Sequence, residues 1–278
     1  MDNIILLDGS YYVFYRFFAT LRWWTLANGQ DTLGVPYENE VFVEKFKSMF
    51  VTKLQEIPKK IKKPNSKIIA FKDCPRHLIW RQKYFDQYKA NRCVDQVAVS
   101  DSEYDSDEVI IDPGPFFKIV YKEKLFNRAN VDLISACNLE ADDCIAITTK
   151  YIKMTNPEKN IIIISSDNDF LQLLNENVFL YNLKYKQIGQ AVTDPKLELF
   201  VKCVCGDKSD NIKSVFARCG RKKAIQMYYN PDLQHKMFTN NQGSYEKYIA
   251  NKNLIDFNKI PKNLIVAFYK QFLVNTNF

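Results

Sequence analysis

The chain has 278 residues, 46% of them hydrophobic, enough to bury a sizeable core in one large domain or in a domain with an appended lobe. No apolar run approaches the roughly 20 residues of a membrane span, and Met1-Asp2-Asn3 followed by four apolar residues lacks the charge and length of a signal peptide, so an intracellular protein is expected. The net charge of +7 is uneven: residues 201–278 carry 13 Lys/Arg against 5 Asp/Glu, while residues 1–200 carry 26 against 27, which fits a phosphate-bearing partner or a solvated basic face.

The first element is a buried strand, Asn3 to Leu7, that breaks at Asp8-Gly9-Ser10. The aromatic stretch from Tyr11 to Trp24 reads as core rather than as a wedge for duplex ends, and a helix is predicted from Glu38 to Leu54. Pro58 to Lys67 is a basic loop, read as solvated or touching DNA in preference to a nuclear-import signal. A second strand, Lys67 to Phe71, ends at Lys72-Asp73. The segment Ile79 to Tyr88 is predicted to be helical, with Arg81, Tyr88, Lys89 and Arg92 near one face. Val94 to Asp112 carries seven acids and no base, the composition of a mobile insert. A helix is predicted from Glu140 to Lys153, and a third strand, Asn160 to Ile164, runs into Ser165-Ser166-Asp167-Asn168-Asp169. Strands alternating with helices argue for a largely parallel α/β sheet, in which ligands gather beyond the carboxyl ends of the strands.

All three strands leave an aspartate at that edge. Glu140 and Asp143 are three apart on one helix and share a face with Asp142 on the flank, although acids also favour any helix N-terminus. Asp167 and Asp169 leave a strand on the same side, and Asp207 and Asp210 lie three apart beside a tight turn at Gly206. So many carboxylates repel one another without a cation, and carboxylate oxygens suit hard divalent ions. Seven cysteines without a C-x-x-C pair, and only two histidines, argue for reduced thiols and against zinc.

The order of these motifs resembles the 5′ nucleases: flap endonucleases, the 5′ nuclease domain of bacterial DNA polymerase I and bacteriophage 5′-to-3′ exonucleases, with the bacterial and phage branch nearest. The resemblance runs from Asp8 to about Ala224 through Asp73, YKANR (Tyr88 to Arg92), LEADD (Leu139 to Asp143), SSDND (Ser165 to Asp169) and GDKSDN (Gly206 to Asn211). It implies a PIN-like α/β core over residues 1–200, with a helical arch and the acidic insert at about 80–118. A helix-hairpin-helix-like DNA-binding region and C-terminal helices would then occupy residues 201–278. Carried over by position, Asp8, Glu140, Asp142, Asp143, Asp167 and Asp169 would bind metal directly or nearly so, with Asp73, Asp207 and Asp210 completing the cluster. The family's two Mg²⁺ ions, for which Mn²⁺ would substitute, flank the scissile phosphate about 4 Å apart. Lys89 and Arg92 would reach that phosphate, Tyr88 would stack on a base, and Arg81 would contact DNA.

Two regions depart from the family pattern. The acidic insert replaces the usual basic character of the arch. The loop from Ile212 to Ala224 keeps only Gly220 of the customary glycines, which weakens the implied potassium site and leaves Arg218, Arg221, Lys222 and Lys223 to hold phosphate through side chains. The C-terminal Gln271 to Phe278 does not support a sliding-clamp partner. The expectation is a monomeric, metal-dependent 5′ nuclease acting on flapped, branched or nicked DNA, of a size and composition compatible with a viral or phage protein. Competing readings are a non-catalytic branched-DNA-binding module and a PIN-type RNA nuclease.

Overall fold

The computed structural model describes residues 3–29, 32–93, 112–189 and 194–273, so almost all of the acidic insert lies outside the described residues. Six strands form one sheet in the order β3-β2-β1-β4-β5-β6. These are β1 (Ile4–Asp8), β2 (Lys67–Phe71), β3 (Asp132–Ile134), β4 (Ile161–Ile164), β5 (Val178–Tyr181) and β6 (Gln187–Ile188). All neighbours are parallel except β5 and β6. The chain leaves β1 for β2 and β3 on one side and later returns to β4 on the other. That reversal opens a crevice at the carboxyl ends of the central strands, where α/β sheets bind ligands.

Both sheet faces are buried, so the strands read as continuous Ile/Leu runs rather than alternating ones. Ile5, Leu7, Ala70, Ile162 and Ile164 face α1 (Gly9–Asn28), α2 (Glu40–Lys60), α3 (Gly114–Lys122) and α4 (Leu125–Arg128) in a core rich in phenylalanine. Ile4, Leu6, Ile69, Phe71, Ile161 and Ile163 face α5 (Ala141–Thr155). Each fully buried Ile, Leu or Phe contributes about 1.5–3 kcal/mol, which makes the sheet a rigid base for the loops at its edge. Gly9 starts α1 against the end of β2, where a Cβ would lie 2.5 Å from the Phe71 carbonyl oxygen. A side chain there would push Asp8 off the crevice.

Beyond the sheet, α6 (Pro195–Cys205) and α7 (Arg221–Tyr229) are joined by the loop 206–220 and share a small core of Phe200, Val204, Val215, Phe216, Ala224 and Met227. α8 (Pro231–Asn240) and α9 (Ser244–Ile255) follow, then α10 (Lys262–Phe268). Two expectations change here. A boundary at residues 200/201 cuts through α6, and the tail returns to the sheet, because Phe257, Ile260, Phe268 and Leu273 join the α5-side core. The predicted helix from Ile79 to Tyr88 is instead one 3₁₀ turn, Trp80–Lys83, followed by irregular turns. Trp80 and Arg81 are both buried, drawn inward by hydrogen bonds to Asp143. Among the described residues no helix is long and apolar enough to cross a membrane.

Candidate metal centre at the carboxyl edge

An open cleft of about 610 Å³ at the crevice is lined by Asp8, Asp73, Glu140, Asp142, Asp167 and Asp207 together with Lys89 and Lys202. Each acid is fixed by its own element. Asp8 ends β1 and caps α1, accepting from the Tyr11 amide (3.0 Å) and the Ser165 hydroxyl (3.1 Å). Asp73 joins two helix starts, accepting from the Ser10 hydroxyl (2.7 Å) and the Ala141 amide (2.8 Å). Glu140 and Asp143 form a reciprocal capping box at the start of α5, while Asp142 projects into the cleft. Asp167 accepts from the Asp169 amide (2.8 Å), which curls the chain after β4. Gly206, at φ 72° and with no room for a Cβ beside the Ile212 carbonyl, turns the chain so that Asp207 faces back toward α6.

The electrostatics are those of too many anions in one place. Burial, with Asp73 beside it, pushes the Asp8 carboxyl up to about 7. Burial raises Asp142 well above the usual carboxylate range, with Asp143 and Glu140 adding to the effect. Burial and the neighbouring Asp167 take Asp169 to about 7, although Lys202 lies 2.6 Å away. For Glu140 and Asp207 burial is outweighed: the cations Arg81 and Lys89 hold Glu140 low, and Lys202 together with hydrogen bonds donated by Ser209 holds Asp207 low. Two triads, Glu140/Asp142/Asp143 and Asp169/Asp207/Asp210, bring carboxylate oxygens within 4.8 Å of one another. An oxygen-only donor set of this charge fits hard divalent cations such as Mg²⁺ or Mn²⁺.

Residues 3–198 match the family described as "5′-3′ exonuclease, N-terminal resolvase-like domain". The chain belongs to this family. Among curated relatives, DNA polymerase I of Lactococcus lactis is 25% identical over 99% of the chain, which spans only 29% of that polymerase's length. Ribonuclease H of enterobacteria phage T4 is 26% identical, covering 74% of the chain and 70% of that protein. The fold also matches bacteriophage T5 flap endonuclease, solved as a pseudo-enzyme-product complex with DNA and metal ions (TM-score 0.65, 17% identity, 96% of this chain and 97% of that one).

The fold brings together all nine acids expected in the cluster, but Glu140, Asp143, Asp169, Asp207 and Asp210 are paired with cations or hydroxyls. Both Asp143 oxygens are held by Arg81 (2.8 and 2.9 Å), and one also accepts from the Trp80 indole (2.8 Å), inside the protein and off the cleft wall. Asp143 therefore orients its neighbours and does not present a free oxygen to the cleft. Asp169 meets Lys202, and Asp210 accepts from the Tyr88 hydroxyl (3.1 Å).

The DNA-contact expectations need correction at three positions. Arg81 is 2% exposed and donates to Glu140, Asp143 and the Leu254 carbonyl, so it cannot reach DNA. Tyr88, also 2% exposed, spends its hydroxyl on Glu140 and Asp210 and offers no ring face to a base. Arg221 forms a two-pronged pair with Glu198, which leaves less of its charge for phosphate. Lys89, at φ 57°, lines the cleft and pairs with Glu140, while the Arg92 side chain lies outside the described residues. Arg218 is exposed on a second groove that runs along α6, and Lys222 and Lys223 are exposed on the first turn of α7. Lys202, Ser10 and Ser165 were missed from the sequence. A lysine in the last turn of a helix reads as an ordinary dipole partner, and a lone serine carries no signal.

Proposed function

We propose that the chain is a metal-dependent 5′ nuclease that hydrolyses DNA phosphodiesters at 5′ ends, flaps or branches. The observation that carries the reading is the family's acidic cluster assembled at the carboxyl edge of the family's sheet, with carboxyls held at raised pKa by burial and their mutual proximity. Asp8, Asp73, Asp142 and Asp167, with Glu140 behind them, would hold a first divalent ion, and Asp169, Asp207 and Asp210 a second; Mg²⁺ is the natural choice. Such ions supply Lewis-acid polarisation of a phosphate and acidification of water.

The protein's own part is to place and neutralise. Lys89 is already on the cleft wall, held by Glu140, and an anionic phosphate entering the cleft would compete for its ammonium. Arg92, three residues on, is assigned the same task. Tyr11, Phe14 and Phe117 form an apolar side of the cleft that excludes water from one flank of the bound strand. Arg218, Lys222 and Lys223 would track duplex phosphates in a salt-sensitive, sequence-independent way, and the protein would act as a monomer.

A second reading follows from the T4 relative's name, with an RNA strand annealed to DNA as the substrate. Incubating the protein with matched 5′-labelled DNA flaps and RNA–DNA hybrids in Mg²⁺ decides between them. Preferential cleavage of the DNA flap supports the first reading, and preferential loss of the RNA strand replaces it with the second. Binding of a flap without cleavage of any substrate in Mg²⁺ or Mn²⁺ would leave a non-catalytic binding module.

A further inference from the structure

Lys202 lies in the last turn of α6, and its ammonium sits 2.6 Å from an oxygen of Asp169 and 2.6 Å from an oxygen of Asp207. That Asp169 oxygen, Oδ1, is buried and takes no hydrogen bond from any other group. Asp210 completes the triad and lies 3.9 Å from the Lys89 ammonium, so Lys202 is the cation in direct contact with Asp169 and Asp207. The same side chain lines two cavities: the acidic cleft, and the adjoining groove of about 1170 Å³ whose walls include Lys208, Lys213, Arg218 and Lys247.

Lys202 occupies the oxygens of Asp169 and Asp207 that a divalent ion would use. A Mg²⁺ ion stands about 2.0–2.1 Å from its oxygen ligands, so an ion using the oxygens that now face Lys202 would be in contact with the ammonium and repelled by it. Lysine is a compact charge on a flexible stem with a second place to go. We propose that Lys202 is the resident counter-cation of the Asp169/Asp207/Asp210 triad, and that a divalent ion entering the triad displaces its ammonium into the basic groove, where it binds backbone phosphate. The triad and the groove then share one mobile charge. Divalent-ion entry favours phosphate binding, and by linkage phosphate binding favours divalent-ion entry by the same factor. The inference rests on the nuclease reading only in taking the acidic clusters as divalent-ion sites.

Calorimetric titration of the full chain with Ca²⁺, without DNA, tests the displacement. Wild type should show a tighter and a weaker event. Lys202→Met should tighten the weaker event at least tenfold and leave the tighter one unchanged, whereas Lys202→Arg, which keeps the charge, should resemble wild type. If Lys202→Met does not melt cooperatively, Lys202→Gln gives the same test while keeping a hydrogen-bonding group between the carboxylates. Anisotropy with a labelled 5′-overhang duplex, with and without Ca²⁺, reads the second half: the gain in affinity on adding Ca²⁺ should shrink in the neutral variants. A weaker event that is unchanged or weakened in those variants, beside a wild type with two events, overturns the displacement alone. An undiminished Ca²⁺ gain overturns the coupling. A wild type that binds no divalent ion overturns the nuclease reading and this inference together.

Discussion

Replacing Arg81 by Met removes a cation that is 2% exposed and leaves Glu140 at 3% and Asp143 at 0% exposure facing each other without it. Truncating one partner of a buried ion pair costs about 3–5 kcal/mol, because the remaining charge stays buried and unpaired. In a chain of this size each kcal/mol lowers the melting temperature by roughly 2–4 °C, so Arg81→Met should melt roughly 6–20 °C below wild type. Adding Asp143→Leu removes the orphaned carboxylate and should recover at least half of the loss. The assay is thermal melting of the two single variants and the double variant, arranged as a cycle, with duplex affinity measured at a temperature where all are folded. Affinity should stay within about twofold of wild type, since Arg81 is walled off from solvent. Unchanged melting together with severalfold weaker DNA binding would refute the buried-pair explanation and restore Arg81 to the DNA surface.

Asp142→Asn should abolish cleavage and spare duplex binding; comparable loss of both would indicate a folding role instead. Stability of the protein without divalent ions should fall as pH rises from about 4 to about 7. The unfolded Asp8 carboxyl ionises near its ordinary value of 3.8, the folded one only near 7, and above that pH the folded state carries the full penalty. The whole shift corresponds to about 4 kcal/mol, less after solvent screening of a half-buried group. Divalent ions should therefore raise the melting temperature more at pH 8 than at pH 5, and an equal rise at both would contradict the assignment. Lys222→Ala with Lys223→Ala should weaken duplex binding and flatten its salt dependence by about one unit of slope for each phosphate no longer neutralised. Unchanged affinity and slope would remove both residues from the DNA surface.

How much of this was legible in the sequence varies residue by residue. Asp8, Asp73 and Asp167 were readable because a buried parallel strand announces itself as an apolar run, and the residue after it must lie at the sheet's edge. Glu140 to Asp143 were readable as a helix start, but not the division of labour within it. Which acid faces the cleft depends on Arg81, 59 residues from Glu140 in the chain, and no local pattern carries that. Arg81 and Tyr88 were misassigned because helical spacing was imposed on a stretch whose side chains are drawn inward by long-range ion pairs and hydrogen bonds. The return of the C-terminal tail to the sheet was equally invisible, since Phe257, Ile260 and Phe268 read as a generic amphipathic end until the α5 face they cover is known.

The proposed function depends on the acidic cleft being a divalent-ion-dependent phosphodiesterase. Single-turnover cleavage of a 5′-labelled DNA flap tests that directly, with Mg²⁺ titrated from a chelated start and the ends of the products identified. Cleavage should be absent in chelator, its rate should rise and saturate with Mg²⁺, and the products should bear a 5′ phosphate and a 3′ hydroxyl. Cleavage that persists in chelator, or an intact flap at saturating Mg²⁺ and Mn²⁺, would contradict it.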